Sequence, residues 1–233
     1  VSTHPPTTER AGLGRAAGTE KYAMKLTVFG ATGGIGQEIV RQALDAGHEV
    51  TAVVRDPARL PVTGARLEVF RADLGDPAAV RPAVAGRDAV LSGLGARRRA
   101  DAGVAARLTR TVLDAMEAEG VRRLLVVSAA PVGPEPAGAG LLDRAARGVV
   151  SAVLKDVYTD LRAMEAELAR SATDWTAVRP PRLQDKPLTG RYRTVIGGFP
   201  PKGRFAGRAD VAHAMLAMTE DAGTVKQGVG VAY

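Results

Sequence analysis

The segment Lys25-Leu26-Thr27-Val28-Phe29-Gly30-Ala31-Thr32-Gly33-Gly34-Ile35-Gly36 constrains the fold of this chain more than any other. A run of β-formers enters glycines at positions 30, 33 and 36, and Gln37 to Leu44 then carries the spacing of an amphipathic helix. Strand, tight turn and helix in that order leave the first helix amides at the carboxyl end of a strand, facing an anion. Gly30 suits the turn off the strand, Gly33 takes a Cβ out of a phosphate's path, and Gly36 lets the helix pack close to the sheet. The pattern predicts a dinucleotide diphosphate site formed by Gly30, Thr32, Gly33, Gly34, Ile35 and Gly36. Spacing alone leaves open a tight βα turn with no ligand.

From Lys25 onward, short β-rich runs alternate with helical patterns, which implies an α/β fold: a Rossmann-type, doubly wound parallel sheet with helices on both faces. Strands are expected at Lys25–Phe29, Glu49–Val54, Leu67–Phe70, Ala89–Ser92, Leu124–Ser128, Trp175–Val178 and Gly228–Ala232. Helices are expected at Gly34–Ala46, Pro77–Val84, Ala102–Glu119, Val157–Arg170 and Ala209–Thr219. Asp76-Pro77 reads as an N-cap with proline in the first turn, Gly47 and Gly120 as C-terminal stops, and Asp210 as a carboxylate suited to a helix start. Next to Gly47, His48 suits a capping role. Residues 1–23 carry Pro, Thr, Gly and Arg without periodicity and are read as a disordered extension, which leaves residues 24–233 as one domain with a small C-terminal cleft region. Two stretches break the alternation. Pro131–Val150 follows the fifth strand, where open α/β sheets place ligands, and is either a lid or a surface insertion. Pro180–Arg204 is rich in Pro, Gly and basic residues, with an edge-strand pattern in Arg191–Ile196 and a turn at Gly197-Gly198.

The chain has 233 residues, 45% of them hydrophobic, which suffices for one full core. It has no cysteine, so disulfides, thiolate catalysis and Cys-ligated zinc are excluded; its three histidines are scattered, and no metal site is expected. The net charge of +7 is spread along the sequence with few aromatic residues, which argues for solvated basic faces rather than a nucleic-acid surface. No apolar run reaches membrane-spanning length and no secretory signal stands at the start, so a cytoplasmic protein that binds neither membrane nor nucleic acid, monomeric or homodimeric, is expected.

Further residues sort by their place along the predicted strands. Arg55 follows the second strand, where an acidic group would bind a ribose 2′-hydroxyl and an arginine a 2′-phosphate, so NADP(H) is expected in preference to NAD(H). Pairing of Arg55 with Asp56 is the competing reading, and Arg59 is a possible helper. Asp73-Leu74 closes the third strand, either to hold an adenine or simply to initiate a turn. Gly93-Leu94-Gly95 would let ribose and phosphates lie on the strand ends, and one of Arg97, Arg98 and Arg99 could reach a phosphate or all could be solvated. Ser128 ends the fifth strand, and Tyr158 and Arg162 lie four apart on the next helix. The three are candidate catalytic residues, with Tyr158 as proton donor and Ser128 orienting a carbonyl; the alternative is a surface tyrosine and a serine that only lines the nicotinamide pocket.

The glycine turn, Val53-Val54-Arg55-Asp56, Asp73-Leu74, Val126-Val127-Ser128, Asp174-Trp175-Thr176-x-x-Arg179-Pro180 and Asp210-Val211-Ala212 together resemble the atypical short-chain dehydrogenase/reductases, and most of all their compact NAD(P)H-binding, NmrA-like group. Val54-Arg55-Asp56 with Arg59-Leu60-Pro61, and Pro180-Pro181 with Asp185-x-Pro187-Leu188-Thr189-Gly190-x-Tyr192, are similar to the branch of NADPH-dependent flavin reductases, the biliverdin reductase B type. The resemblance implies NADPH along the strand ends with Ser128 and Pro180 beside it, and hydride transfer to a flavin, quinone or similar planar acceptor, with FMN or FAD as candidate substrates. Leu161 and Glu165 stand where that branch carries histidines, which opens the identity of the acceptor. The same resemblance leaves two alternatives: a non-catalytic NADP(H)-sensing regulator, and a biosynthetic ketoreductase or epimerase using Ser128 and Tyr158.

Overall fold

The computed structural model describes residues 22–95, 103–134 and 154–233. Residues 1–21 of the expected N-terminal extension, Arg97 to Arg99 and residues 135–150 of the Pro131–Val150 segment lie outside the described residues. Eight strands form the main sheet in the order β3-β2-β1-β4-β5-β6-β10-β8. Their ranges are β1 Lys25–Phe29, β2 Glu49–Val54, β3 Leu67–Arg71, β4 Ala89–Ser92, β5 Arg123–Val127, β6 Asp174–Arg179, β8 Arg193–Ile196 and β10 Gln227–Ala232. All pairs are parallel except β8 with β10. The first six strands thus take the Rossmann order, whose direction reverses between β1 and β4. Among the described residues, five α-helices connect them: α1 Gly34–Asp45, α2 Pro77–Val84, α3 Val104–Glu119, α4 Lys155–Arg170 and α5 Arg208–Met218.

Side chains alternate across the sheet, so each strand supplies two cores. Leu26 and Val28 of β1 join Ile39, Leu91, Leu125, Met215, Val229 and Val231 beneath α1 and α5. Phe29, one residue on, turns to the opposite face with Val90, Met116, Leu124, Val126, Met164 and Leu168 beneath α2, α3 and α4. Burial on both faces is why these strands read as continuous apolar runs.

Local signals account for the helix ends. The Asp76 carboxylate accepts from Ala78 N–H at 2.9 Å, with Pro77 in the first turn of α2. Gly47 and Gly120 stand at φ +86° and +69°, as their stop roles require. His48 does serve the end of α1, though through its backbone, whose N–H reaches Ala43 O at 3.0 Å; its ring Nδ1 accepts from Met24 N–H at 3.1 Å. Several expected ranges shift by one or two residues: α4 begins at Lys155 rather than Val157, α5 spans Arg208–Met218 rather than Ala209–Thr219, and β6 and β10 begin at Asp174 and Gln227. Arg191–Ile196 does hold an edge strand, paired with β10 over its last four residues. A separate parallel pair, β7 Arg182–Gln184 with β9 Phe205–Gly207, has no counterpart in the sequence reading, because three-residue strands are too short to show a period.

Arg123 at the start of β5 fastens the far end of the sheet. Its guanidinium donates to the carbonyls of Thr219, Asp174 and Met218 and to the hydroxyls of Thr176 and Thr224. No helix among the described residues is long and apolar enough to cross a membrane, and no group of metal-ligating side chains occurs among them.

Candidate functional site

The carboxyl ends of β1 and β4 meet at the glycine turn. Gly30 takes φ +72°, and a Cβ there would stand 2.7 Å from Gly93 C and 2.9 Å from Leu94 N. Gly33 N–H closes the turn on Gly30 O at 2.9 Å. A Cβ on Gly36 would lie 2.1 Å from Gly30 O, so its reason differs from the expected one: the first helical turn presses on the loop itself. The α1 N-terminus carries no side-chain cap and no acidic residue in its first turn. Its partial positive charge is therefore left for an anion, and a glycine-lined concavity at a helix start fits a diphosphate. Thr32 gives its carbonyl to Gln37 Nε2 at 3.1 Å, and Ile35 is buried in the α1 core.

The remaining cofactor candidates line the same edge. Gly93 packs 3.4 Å, measured from an ideal Cβ, from Gly36 N, while Gly95 opens onto space. Arg55 is exposed just past β2, and Asp56 is engaged elsewhere, its carboxylate accepting from Ala58 N–H at 3.1 Å to cap the turn Pro57–Arg59. Asp73 accepts from Gly75 N–H at 2.9 Å, the geometry of a turn-initiating aspartate, and Leu74 is buried against α2. Pro180 is buried, and its carbonyl receives Ala130 N–H at 2.9 Å.

The three candidate catalytic side chains do not form one cluster of hydrogen bonds. Ser128 is buried and its hydroxyl donates to Glu165 Oε1 at 2.6 Å. Glu165 is clamped from the other side by Arg179, with Nε–Oε1 at 3.0 Å and Nη2–Oε2 at 2.5 Å. Room for this guanidinium comes from two glycines: a Cβ on Gly228 would lie 2.2 Å, and one on Gly133 2.9 Å, from Arg179 Nη1. Tyr158 points from α4 into the core, where burial pushes its phenol above the usual range. Arg162, one turn on, is exposed and donates to Pro131 O at 3.3 Å.

Three more carboxylates organise the surroundings. Sequence singles out Glu165 by resemblance alone, as a residue standing where the flavin-reductase branch carries a histidine. Asp160 is buried on α4 and caps α3, accepting from Ala105 N–H at 2.9 Å and Ala106 N–H at 3.0 Å. Asp210, in the first turn of α5 as expected, does more than meet the dipole. It accepts from Thr189 N–H at 3.0 Å, Gly190 N–H at 2.8 Å, Thr189 Oγ1 at 2.9 Å and the Tyr233 hydroxyl at 2.7 Å, and so pins the Leu188–Gly190 loop to the start of α5.

A family model described as NAD(P)H-binding matches residues 30–222. This chain belongs to that NAD(P)H-binding family. The geometry of the glycine turn described above fits the dinucleotide that this family binds. Among solved structures, a candidate exported protein from Burkholderia pseudomallei is similar at 30% identity and TM-score 0.75, over 90% of this chain and 100% of that one. A candidate NADH-flavin reductase from Streptococcus pneumoniae shares the fold at 23% identity and TM-score 0.75, over 90% of this chain and 99% of its own. A Streptomyces griseus (4-alkanoyl-5-oxo-2,5-dihydrofuran-3-yl)methyl phosphate reductase is 43% identical over 65 residues, which is 28% of this chain and 23% of that protein. The matched stretches span only about a quarter of the curated relatives, at 22%, 23% and 26% of their lengths.

Proposed function

We propose that this protein is an NADPH-dependent reductase that delivers hydride to a planar conjugated acceptor, a flavin or a quinone, without a proton donor of its own. The observation that carries this reading is where the Ser128 proton goes. It is given to Glu165, and Arg179 balances that carboxylate, so Ser128 turns hydrogen-bond acceptor toward any other partner. A ketoreductase needs the reverse polarity, a hydroxyl that donates to the substrate carbonyl beside an acidic phenol. Tyr158 is a poor candidate for that phenol, since burial raises its pKa and it packs among apolar side chains.

The nicotinamide ring, when bound, supplies the hydride. The amides of residues 34–36, at the uncapped start of α1, would hold its diphosphate, Arg55 would meet the 2′-phosphate, and Ser128 would accept from the nicotinamide carboxamide. The protein's contribution is then positioning and exclusion of water. A flavin or quinone takes its proton from solvent, so the absence of a strong acid is no obstacle. The fold shared with the pneumococcal protein and the local likeness to a reductase support this reading.

The test is NADPH oxidation with FMN, quinones and biliverdin, on the wild type and Tyr158→Phe. Turnover with a planar acceptor, kept within about twofold in Tyr158→Phe, is expected; a general acid would contribute on the order of 10²–10⁴-fold. A loss of that size with NADPH affinity unchanged refutes the donor-free mechanism. Tight NADPH binding with no turnover on any acceptor would leave the redox-sensing alternative.

A further inference from the structure

Gly34 has no part in the usual account of a glycine turn, yet its bare Cα is occupied. Arg208, the first residue of α5, lies across it: a Cβ on Gly34 would stand 2.6 Å from Arg208 Cδ and 3.0 Å from its Nε. A guanidinium is thus folded over the opening turn of α1, which already carries positive partial charge and has no acidic residue to offset it. Two like charges brought together in this way are unfavourable unless an anion joins them. The present partner is weak. Arg208 Nη1 meets Asp185 Oδ1 at 2.6 Å, but the Asp185 side chain is 87% exposed, and ion pairs so open to water contribute little. Meanwhile α1 and α5 are bound side by side, with Gln42 Nε2 donating to Ala209 O at 2.9 Å, so Arg208 is kept at the glycine turn by a rigid helix pair rather than by its own ion pair.

We infer that Arg208 is a ligand of the cofactor diphosphate, exchanging Asp185 for a phosphate oxygen when the dinucleotide binds. Arginine suits the task because its fork can bind two oxygens at once, and because a side chain lying on Gly34 needs only a rotation about its last bonds to face the turn amides. Asp185 acts as a resident competitor that occupies the guanidinium until the dinucleotide arrives. The inference rests on cofactor binding alone and does not depend on which acceptor is reduced.

Calorimetric titration of the full chain with NADP and with NAD tests it, since the two share the diphosphate and differ in the 2′-phosphate. Arg208→Ala is expected to weaken both by a similar factor, about tenfold, as for a lost charge-assisted contact. Arg208→Lys should restore part of that loss, and Asp185→Asn should tighten both by about two- to fivefold by removing the competitor. Unchanged affinity for both dinucleotides in a folded Arg208→Ala, or a loss confined to NADP, overturns the assignment while leaving cofactor binding intact. Failure of the wild type to bind either one overturns cofactor binding and this inference together.

Discussion

Asp210→Asn offers a demanding check on how the Leu188–Gly190 loop is held. The carboxylate receives two amides on Oδ1, from Thr189 and Gly190, and two hydroxyls on Oδ2, from Thr189 and Tyr233. Asparagine keeps one oxygen for the amides and turns an NH₂ toward the hydroxyls. The Tyr233 hydroxyl already accepts from Gly207 N–H at 2.9 Å, so it cannot readily receive the new donor. Bonds to a charged acceptor contribute roughly 1.5–3 kcal/mol and neutral ones about 1, so losing two and weakening two should cost about 3 kcal/mol. For a domain of this size that is a fall in Tm of about 6–12 °C. Urea unfolding followed by circular dichroism should show a lower midpoint at unchanged slope. The pH dependence adds a second reading. Burial alone would raise the Asp210 pKa, but the hydrogen bonds from Tyr233, Gly190 and Thr189 outweigh it and hold the carboxyl below the usual range. A depressed folded-state pKa gives stability that is present above the unfolded value, near 4, and lost as pH falls through the folded one. The gap between wild type and variant should therefore be constant near neutrality and narrow in acid below about pH 4. A difference under about 0.5 kcal/mol at neutral pH, or one that ignores acid, would refute the account of this hub.

Two further outcomes follow from the glycine turn and its flank. Gly36→Ala places a Cβ 2.1 Å from Gly30 O, against backbone that cannot yield, so a loss of about 3 kcal/mol or more in stability and of dinucleotide binding is expected by thermal unfolding and calorimetry. A variant with wild-type Tm would show that the turn is laxer than described. Arg55→Ala should reduce the preference for NADPH over NADH by roughly 1–3 kcal/mol, measured as a ratio of affinities. An unaltered ratio would remove Arg55 from the 2′-phosphate site.

What could be read from residues alone was whatever is local. The glycine turn, the Asp76-Pro77 cap and the stops at Gly47 and Gly120 each depend on neighbours within a few positions, and each is found where its residues stand. The strands buried on two faces announce themselves by apolar runs. The site's polar wiring did not, because its partners are remote in sequence. Asp160 caps a helix 55 residues upstream, Ser128 reaches Glu165 across 37 residues, and Thr189 reaches Asp210 across 21. Tyr158 and Arg162 illustrate the limit of helical spacing. It places them on one face of one helix, but Tyr158 is buried on the core side of α4 and Arg162 is exposed, which packing against the sheet decides.

The arginine that fastens the distal end of the sheet also bears on how the polypeptide is made. Arg123 leaves the ribosome about a hundred residues ahead of Thr219 and Thr224, its partners at sequence separations of 96 and 101. Until they emerge, a cation sits at the margin of a half-built interior and keeps water there. The β5 end of the sheet is therefore completed only by the last helix and the turn after it. The domain should gain and lose its order as one piece, with nearly the whole chain required before any of it is secure.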